Sequence, residues 1–348
     1  MSCLDFDFDG VLKLRLDDSL FHSLVKEFEV WKSEFEKPDL SIERGKVDRK
    51  GMYVTSSHYA GDGFYTILHN DGVYRVEENR IVCDGTTSEE FLEGKVAQHR
   101  LNQCFTQRDW CIVHASAVSI EGKAVLLPAM GGVGKTNLML ELLSRGARFI
   151  GDDHVVIGRN GRFISYPRWV NVLEYNLSMF PGLYERAIPD KTGQRQQKRR
   201  LWLYRKARDM EGRNPVTEMV KTRTMAWYYF SHRVKPETLF PGTGLEKSGK
   251  ISQAFYLRRE DNDATVVPSD SERVARLSAA STFPNETDLL HRICSEIAGI
   301  PYPSMERRRS IFLDAYRGAK CHEIYMGMSQ TKPRLKSIAD EIESAVLG

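Results

Sequence analysis

The sequence has no apolar run near the roughly 18 residues a membrane-spanning helix needs, no Cys-x-x-Cys pair, no internal repeat and no long low-complexity tract. A helical membrane protein and a repeat array are therefore excluded. The six cysteines, at positions 3, 83, 104, 111, 294 and 321, lack the dense spacing of a secreted disulfide scaffold and are expected to be mostly reduced core thiols. Charge of either sign is not in excess: 50 basic against 47 acidic side chains leave +3, too little by itself to imply nucleic-acid or membrane binding. The opening Met1-Ser2-Cys3-Leu4-Asp5-Phe6-Asp7 is acidic where a secretory or mitochondrial leader is basic, so a cytoplasmic protein is expected.

What is present is a globular composition, 41% hydrophobic and 28% charged, in 348 residues, which favours about two domains. Residues 1–108 read as an N-terminal α+β domain. Asp5 to Leu16 alternate, Leu20, Leu24, Phe28 and Trp31 recur as in a helix, short alternating segments surround Tyr53 and Tyr74, and Asn70-Asp71-Gly72 reads as a hairpin turn. From residue 109 the order becomes apolar strand (Ala124 to Leu127), glycine loop, helix (Asn137 to Ser144), Gly146 as C-cap and strand (Arg148 to Ile150), from which a parallel sheet is expected. Leu289, Ile293 and Ile297, then Leu335, Ile338, Ile342 and Val346, describe closing amphipathic helices. Residues 191–225 carry eleven basic and three acidic side chains, a local +8, interleaved with Trp202, Leu203 and Tyr204. This basic insertion is either a solvated face or a contact for an anionic partner.

The strongest chemical feature is Ala129-Met130-Gly131-Gly132-Val133-Gly134-Lys135-Thr136, between an apolar strand and a helix. Glycines let backbone amides turn around a phosphate, a helix N-terminus adds partial positive charge, the lysine reaches the β and γ phosphates, and the threonine hydroxyl can ligate Mg²⁺. Ala129 stands where the general phosphate-loop pattern has its first glycine, and it is strained if that position needs positive φ. A second formal match, Gly244 to Lys250, has Ile251 in place of Ser or Thr and runs into the strand-like Ala254 to Leu257, so it is expected to be a flexible basic loop. After the loop helix, Gly151-Asp152-Asp153-His154 ends a strand on the edge that carries the phosphate loop. One carboxylate there can hold the metal and the other can accept a proton from an attacking hydroxyl. His114 precedes the loop strand in Val113-His114-Ala115-Ser116-Ala117.

Together these residues resemble the HPr kinase/phosphorylase family and its wider relatives, the ATP-dependent phosphoenolpyruvate carboxykinases. The likeness rests, in order, on His114-Ala115-Ser116-Ala117, Gly131 to Thr136, Leu140 to Gly146 and Ile150-Gly151-Asp152-Asp153, with seventeen positions from Lys135 to Asp152, and more loosely on Tyr166-Pro167-Arg168. The resemblance implies an α/β fold, with an HPr-kinase-like P-loop kinase domain over residues 109–348 that includes the C-terminal helices. It implies ATP and Mg²⁺ as cofactors. In that reading Gly131, Gly132, Val133, Gly134, Lys135, Thr136 and Asn137 hold the nucleotide, Thr136 and Asp152 serve Mg²⁺, Asp153 is the general base, and His114 lies near metal or phosphates. The sequence departs from the family in lacking its glycine-rich signature after the Asp-Asp strand, and 348 residues leave little room for the oxaloacetate-binding half of a carboxykinase. The implied acceptor is therefore a hydroxyl of a peptide, a protein serine or a small molecule, in place of HPr itself. Arg168, Lys198, Arg199 and Arg200 are the substrate-side candidates, and the basic insertion could close over the site and exclude water.

Two other readings stand beside the kinase. A nucleotide-binding regulatory protein would keep the loop without transferring phosphate. Asp7-Phe8-Asp9-Gly10-Val11-Leu12 looks like the first motif of haloacid-dehalogenase-type phosphatases, but strict alternation through Phe6, Phe8, Leu12, Leu14 and Leu16 describes a hairpin and not a buried central strand. The same run mimics a calcium loop, with Leu16 where the bidentate glutamate belongs. Expected partners are a nucleotide and a hydroxyl acceptor, without membrane or nucleic acid. ATP against GTP or pyrophosphate, the reverse dephosphorylation and homo-oligomerisation are left open.

Overall fold

The computed structural model describes residues 3–47, 53–54, 58–61, 64–67, 74–83, 89, 93, 97–188, 190, 192–196, 199, 202, 232–260, 265–282, 304–327 and 331–348. The Asn70-Asp71-Gly72 turn, the Leu289-Ile293-Ile297 helix, Lys198, Arg200 and most of the basic insertion lie outside these residues.

Alternation builds the first sheet. β1 (Cys3–Phe8) and β2 (Leu12–Asp17) pair antiparallel as a hairpin, and Phe6, Phe8, Leu12, Leu14 and Leu16 are all fully buried on its inner face. Asp9 and Gly10 form the turn with φ of 54° and 73°, as the right-handed strand twist requires. β3 (Lys32–Ser33), β4 (Leu40–Arg44), β5 (Tyr53–Val54), β6 (His58–Gly61), β7 (Phe64–Ile67), β8 (Tyr74–Val76) and β9 (Arg80–Cys83) complete the order β3-β1-β2-β4-β9-β8-β7-β6-β5. Asp7 Oδ1 accepts the Gly10 N–H at 2.7 Å and Asp9 pairs with Arg162 at 3.1 Å. The Asp-x-Asp run thus serves a hairpin turn, not the end of a central parallel strand where a phosphatase nucleophile belongs.

The buried face of this sheet is covered by α1 (His22–Glu27), the 3₁₀ turn Phe28–Trp31 and α2 (Gln98–Gln107). The same core takes in Trp110, Ile112, Val156, Ile164 and Tyr166 from the following segment. Edge-to-face contacts lock it together, Phe8 on Phe28 and Phe28 on Tyr166, each with centroids 5.1 Å apart. Trp31 Nε1 donates to the Ser165 carbonyl at 3.1 Å, so the two parts of the chain are joined by hydrogen bonding as well as by apolar burial.

The second sheet comprises β10 (Trp110–Val113), β11 (Ala115–Ile120), β12 (Lys123–Pro128), β13 (Arg148–Gly151), β14 (Val155–Gly158), β15 (Arg162–Ser165) and a long later strand, with α3 (Lys135–Ser144) between β12 and β13. β16 (Val170–Val172), α4 (Glu174–Met179) and β17 (His232–Val234) precede that strand, β18 (Ser248–Glu260), and β19 (Thr265–Ser269), α5 (Ser271–Thr282), α6 (Met305–Tyr316), β20 (Lys320–Gly327) and α7 (Lys332–Leu347) follow it. The order is β10-β14-β15-β18-β12-β11-β13, with β20 on β18 and β19 on β20. The result is a mixed α/β fold, and it corrects the expected parallel sheet. β11 and β12 are joined by a tight Glu121-Gly122 turn with φ of 47° and 78°, so they pair antiparallel, and β13 adds to the free edge of β11. β12 and β13 run the same way but are separated by β11. Parallel pairing in this sheet is found instead where β18 meets β12 and β20.

Helices cover both faces. α3 and α7 pack in a core with Val125, Leu127 and Phe255, while α5 and α6 pack in another with Val113, Leu126 and Ile157. α3 ends as the glycine predicts: Gly146, at φ 98°, donates to the Leu143 carbonyl and Ala147 to that of Leu142, satisfying two terminal acceptors. The Gly244–Lys250 run is not a flexible loop throughout: Leu245 bridges to Phe149 and Ser248 onward is strand, with Gly249 against the Phe163 ring. Among the described residues no helix is long and apolar enough to cross a membrane.

Candidate active site

Register decides which residues meet. Ala115 lies opposite Pro128 and Ala117 opposite Gly151, so the start of β11 and the carboxyl ends of β12 and β13 share one edge of the sheet. His114, the 129–134 loop and Asp152-Asp153 are the residues immediately beyond that edge. Ala129 is fully buried, bridges Leu257 and is not among the residues with positive φ. It continues the strand, so the missing first glycine causes no strain. The left-handed positions fall on Gly132 (φ 76°) and Gly134 (φ 115°), the latter capping α3, where only glycine is unstrained. A side chain at Gly131 or Gly132 would meet nothing within 4 Å, so these backbone groups border open space at a helix N-terminus, the setting that holds anions.

Lys135 is buried and its Nζ stands 2.9 Å from Asp153 Oδ1 and 2.9 Å from His114 Nε2. His114 Nε2 lies 3.7 Å from the same carboxylate, and the His114 backbone N–H donates to Thr282 Oγ1 at 3.1 Å. Asp152 is held separately. Its Oδ1 accepts from Ser116 Oγ at 2.6 Å and from Thr136 Oγ1 at 3.1 Å. Adjacent carboxylates therefore face different partners. The backbone turn that splits them puts Asp153 at φ 61°, a conformation costing a non-glycine residue roughly 1–3 kcal/mol and concentrated at functional sites.

The electrostatics differ in the same way. Burial raises Asp152, the Asp153 charge raises it further, and the Ser116, Lys135 and Thr136 contacts offset only part of this. Burial also acts to raise Asp153, but Lys135 and the His114 hydrogen bond outweigh it and hold the carboxyl well below the usual range. His154 is pushed down to about 3 by burial and by the Arg168 charge, so it is neutral; Gln98 Nε2 sits 2.6 Å from its Nε2.

The remaining sequence candidates are placed elsewhere. The Asn137 side chain is buried and its Oδ1 accepts from Asn176 Nδ2 at 2.6 Å, so it braces α3 against α4. Arg168 is committed to an ion pair with Glu93 and stands 3.8 Å from Glu27, and Arg233 pairs with Glu93 at 2.7 Å. Arg199 is exposed. Ser116 was part of the matched run but had no role in the sequence reading; its spacing two residues beyond His114, on one face of β11, is the signal for it. The Glu27–Glu93–Arg168–Arg233 cluster gave no sequence signal, because its members are far apart in the chain.

No protein-family model matches the chain. A 48-residue segment is 44% identical to HPr kinase/phosphorylase of Chlorobium phaeobacteroides (strain BS1), covering 14% of this chain and 14% of that protein. The identity and coverage are the same against HPr kinase/phosphorylase of Prosthecochloris aestuarii (strain DSM 271 / SK 413), so the chain spans 14% of the length of the curated relatives it matches. Among solved structures, the HPr(Ser) kinase/phosphatase from Coxiella burnetii aligns over 68% of this chain and 90% of that one, at 10% identity and a TM-score of 0.28. The resemblance read from the motifs is thus found again by direct comparison, and the chain is HPr-kinase-like in sequence over that segment.

Proposed function

We propose that the protein is a phosphotransferase that moves the γ-phosphoryl group of ATP to a hydroxyl on a peptide, a protein serine or a small molecule. The carrying observation is the division of labour at one sheet edge: Asp152 with Thr136 and Ser116 on one side, Asp153 with Lys135 and His114 on the other. Thr136 Oγ1 and Asp152 form a small set of hard oxygen donors, which fits Mg²⁺ because that ion takes one or two protein oxygens and completes its shell with phosphates and water. Bound there, Mg²⁺ would supply neutralisation of the phosphate charge.

The chain's own residues account for the rest. Backbone amides from Gly131 to Thr136 and the Lys135 ammonium bind phosphate oxygens. When Lys135 turns to the phosphates it leaves Asp153, whose carboxylate loses its cation and becomes a better proton acceptor. Asp153 then takes the hydroxyl proton as the acceptor oxygen bonds to the γ-phosphorus, and the bond to the β–γ bridging oxygen breaks to release ADP. His114, 2.9 Å from Lys135 Nζ, positions the lysine between its two partners.

Incubation with [γ-³²P]ATP, Mg²⁺ and a mixture of hydroxyl-bearing peptides and metabolites should yield a labelled product. Asp153→Asn should keep MgATP binding and lose turnover by about 10²–10⁴-fold, the range for a general base. Unchanged product formation in that variant contradicts the assignment. A nucleotide-binding regulatory protein remains the second reading, and it predicts binding without labelled product in the wild type.

A further inference from the structure

His114 stands at a crossing in the chain. β10 pairs with β14, and β11 pairs with β12 and β13, so at this residue the backbone leaves one run of strands and enters another. Its carbonyl accepts the Ala129 N–H at 3.4 Å, where β12 gives way to the 129–136 loop. Its N–H donates to Thr282 Oγ1 at 3.1 Å, a partner 168 positions away on the last turn of α5. Packing alone does not hold the residue, because a cavity of about 30 Å³ adjoins it, with His114, Thr282 and the α2 residues Gln98 and Asn102 in its lining.

The Thr282 hydroxyl is not explained by the helix that carries it. The residue is 4% exposed, and α5 meets the sheet through Val274, Ala275 and Ala279, which share a core with Val113, Ala115 and Ala117. The hydroxyl proton returns to the Ser278 carbonyl at 2.8 Å, an acceptor that also takes Ser281 Oγ at 2.9 Å. A back-bond of this kind slightly destabilises a helix, and valine has the same shape without the polar atom. What the oxygen adds is a lone pair: with its proton on Ser278, it faces the His114 N–H as an acceptor.

We propose that Thr282 is a positioning residue for phosphotransfer, an inference that rests on the function proposed above. It fixes the His114 peptide, and with it the imidazole that stands 2.9 Å from Lys135 Nζ and 3.7 Å from Asp153 Oδ1. Through the Ala129 N–H the same peptide anchors the start of the 129–136 loop. Thr282 touches no reacting atom, and its effect passes through His114. When the acceptor is removed, the peptide turns toward the adjoining cavity and carries the ring away from Lys135.

Thr282→Val and Thr282→Ser in the full chain test this. The first readout is histidine-ring ¹H–¹⁵N NMR without nucleotide, with His114 assigned by the signal lost in His114→Gln. Its resonances should move in Thr282→Val and keep their wild-type positions in Thr282→Ser. Those of His22 and His322, on α1 and β20, should not move in either variant, which shows that the fold is kept. The second readout is labelled product from [γ-³²P]ATP. Thr282→Val should lower kcat about 10²-fold, the effect of a misplacement of about 1 Å, with little change in KM for MgATP, and Thr282→Ser should recover it. A purely structural role predicts a lower Tm with unchanged kcat. Unmoved His114 resonances in Thr282→Val, or equal turnover by that variant and an active wild type, overturn the positioning role alone. A wild type that yields no product overturns the phosphotransfer reading itself, and the role of Thr282 with it.

Discussion

Two charge clusters stand near one edge of the second sheet, and they are built on opposite principles. At the 129–136 loop, Lys135 and His114 share Asp153, while Asp152 is left to hydroxyl groups. In the function proposed above, a bound phosphate or metal takes over each of these partners. In the Glu27–Glu93–Arg168–Arg233 cluster the ions serve one another: both arginines close on Glu93, and Glu27 receives the Trp169 N–H. The first arrangement is an exchangeable one, suited to ligand chemistry. The second ties α1 to the segments after β15 and at β17, and only the free Glu27 oxygen leaves it incomplete.

Removing one member should separate the two. Glu93→Ala leaves Arg168, whose side chain is 13% exposed, with only Glu27 nearby, while Arg233 is exposed enough to turn to solvent; the change should cost about 3 kcal/mol of stability, the low end of the penalty for breaking a buried pair. Urea denaturation measures this, and a loss below about 1 kcal/mol would mean the cluster is solvated.

Glu27 gives a pH signature opposite in sign to that of Asp153. Burial pushes its carboxyl from 4.5 to about 7, with Arg168 and Arg233 opposing and Glu93 reinforcing the shift. A carboxyl raised in the folded state contributes stability that is complete below pH about 4.5 and is lost as pH rises through about 7. The contribution is on the order of 3 kcal/mol, at 1.36 kcal/mol per pKa unit. Glu27→Gln should therefore become more stable relative to wild type between pH 5 and pH 8. Asp153, held below its ordinary value, works in the other direction: its stabilisation is present above pH about 4 and is lost on acidification. A Glu27→Gln stability difference that is flat with pH would remove the first assignment.

The smallest effect concerns the loop itself. Because Ala129 continues the strand without positive φ, Ala129→Gly should leave nucleotide affinity unchanged and cost only about 0.5–1 kcal/mol through backbone entropy. Tighter nucleotide binding in that variant would show that the alanine hinders the loop.

The contrast between the clusters also explains what could be read from the chain. The hairpin of Phe6 to Leu16 and the C-cap at Gly146 follow from local periodicity and turn chemistry; the edge shared by Lys135 and Asp153 follows from β12 and β13 running the same way, and His114 was legible only through the family resemblance. The antiparallel insertion of β11 was missed because hydrophobic runs do not state pairing direction, although the Glu121-Gly122 turn carried that information. Arg168 looked like an anion contact because its partners, Glu27 and Glu93, lie 141 and 75 positions away and have no pattern linking them to it. Asn137 looked like part of the cradle because it follows Thr136, while its bond to Asn176 depends on how α4 packs.

The central claim is that the 129–136 loop and its two aspartates form a nucleotide site. Thermal unfolding of wild type and Lys135→Ala, with and without MgATP, tests it without knowledge of the acceptor. A ligand at about 100 times its Kd adds roughly 2.7 kcal/mol to the native state. The account predicts a raised Tm for wild type with MgATP and no rise for Lys135→Ala. A wild-type Tm that does not move with MgATP, MgGTP or pyrophosphate would contradict it.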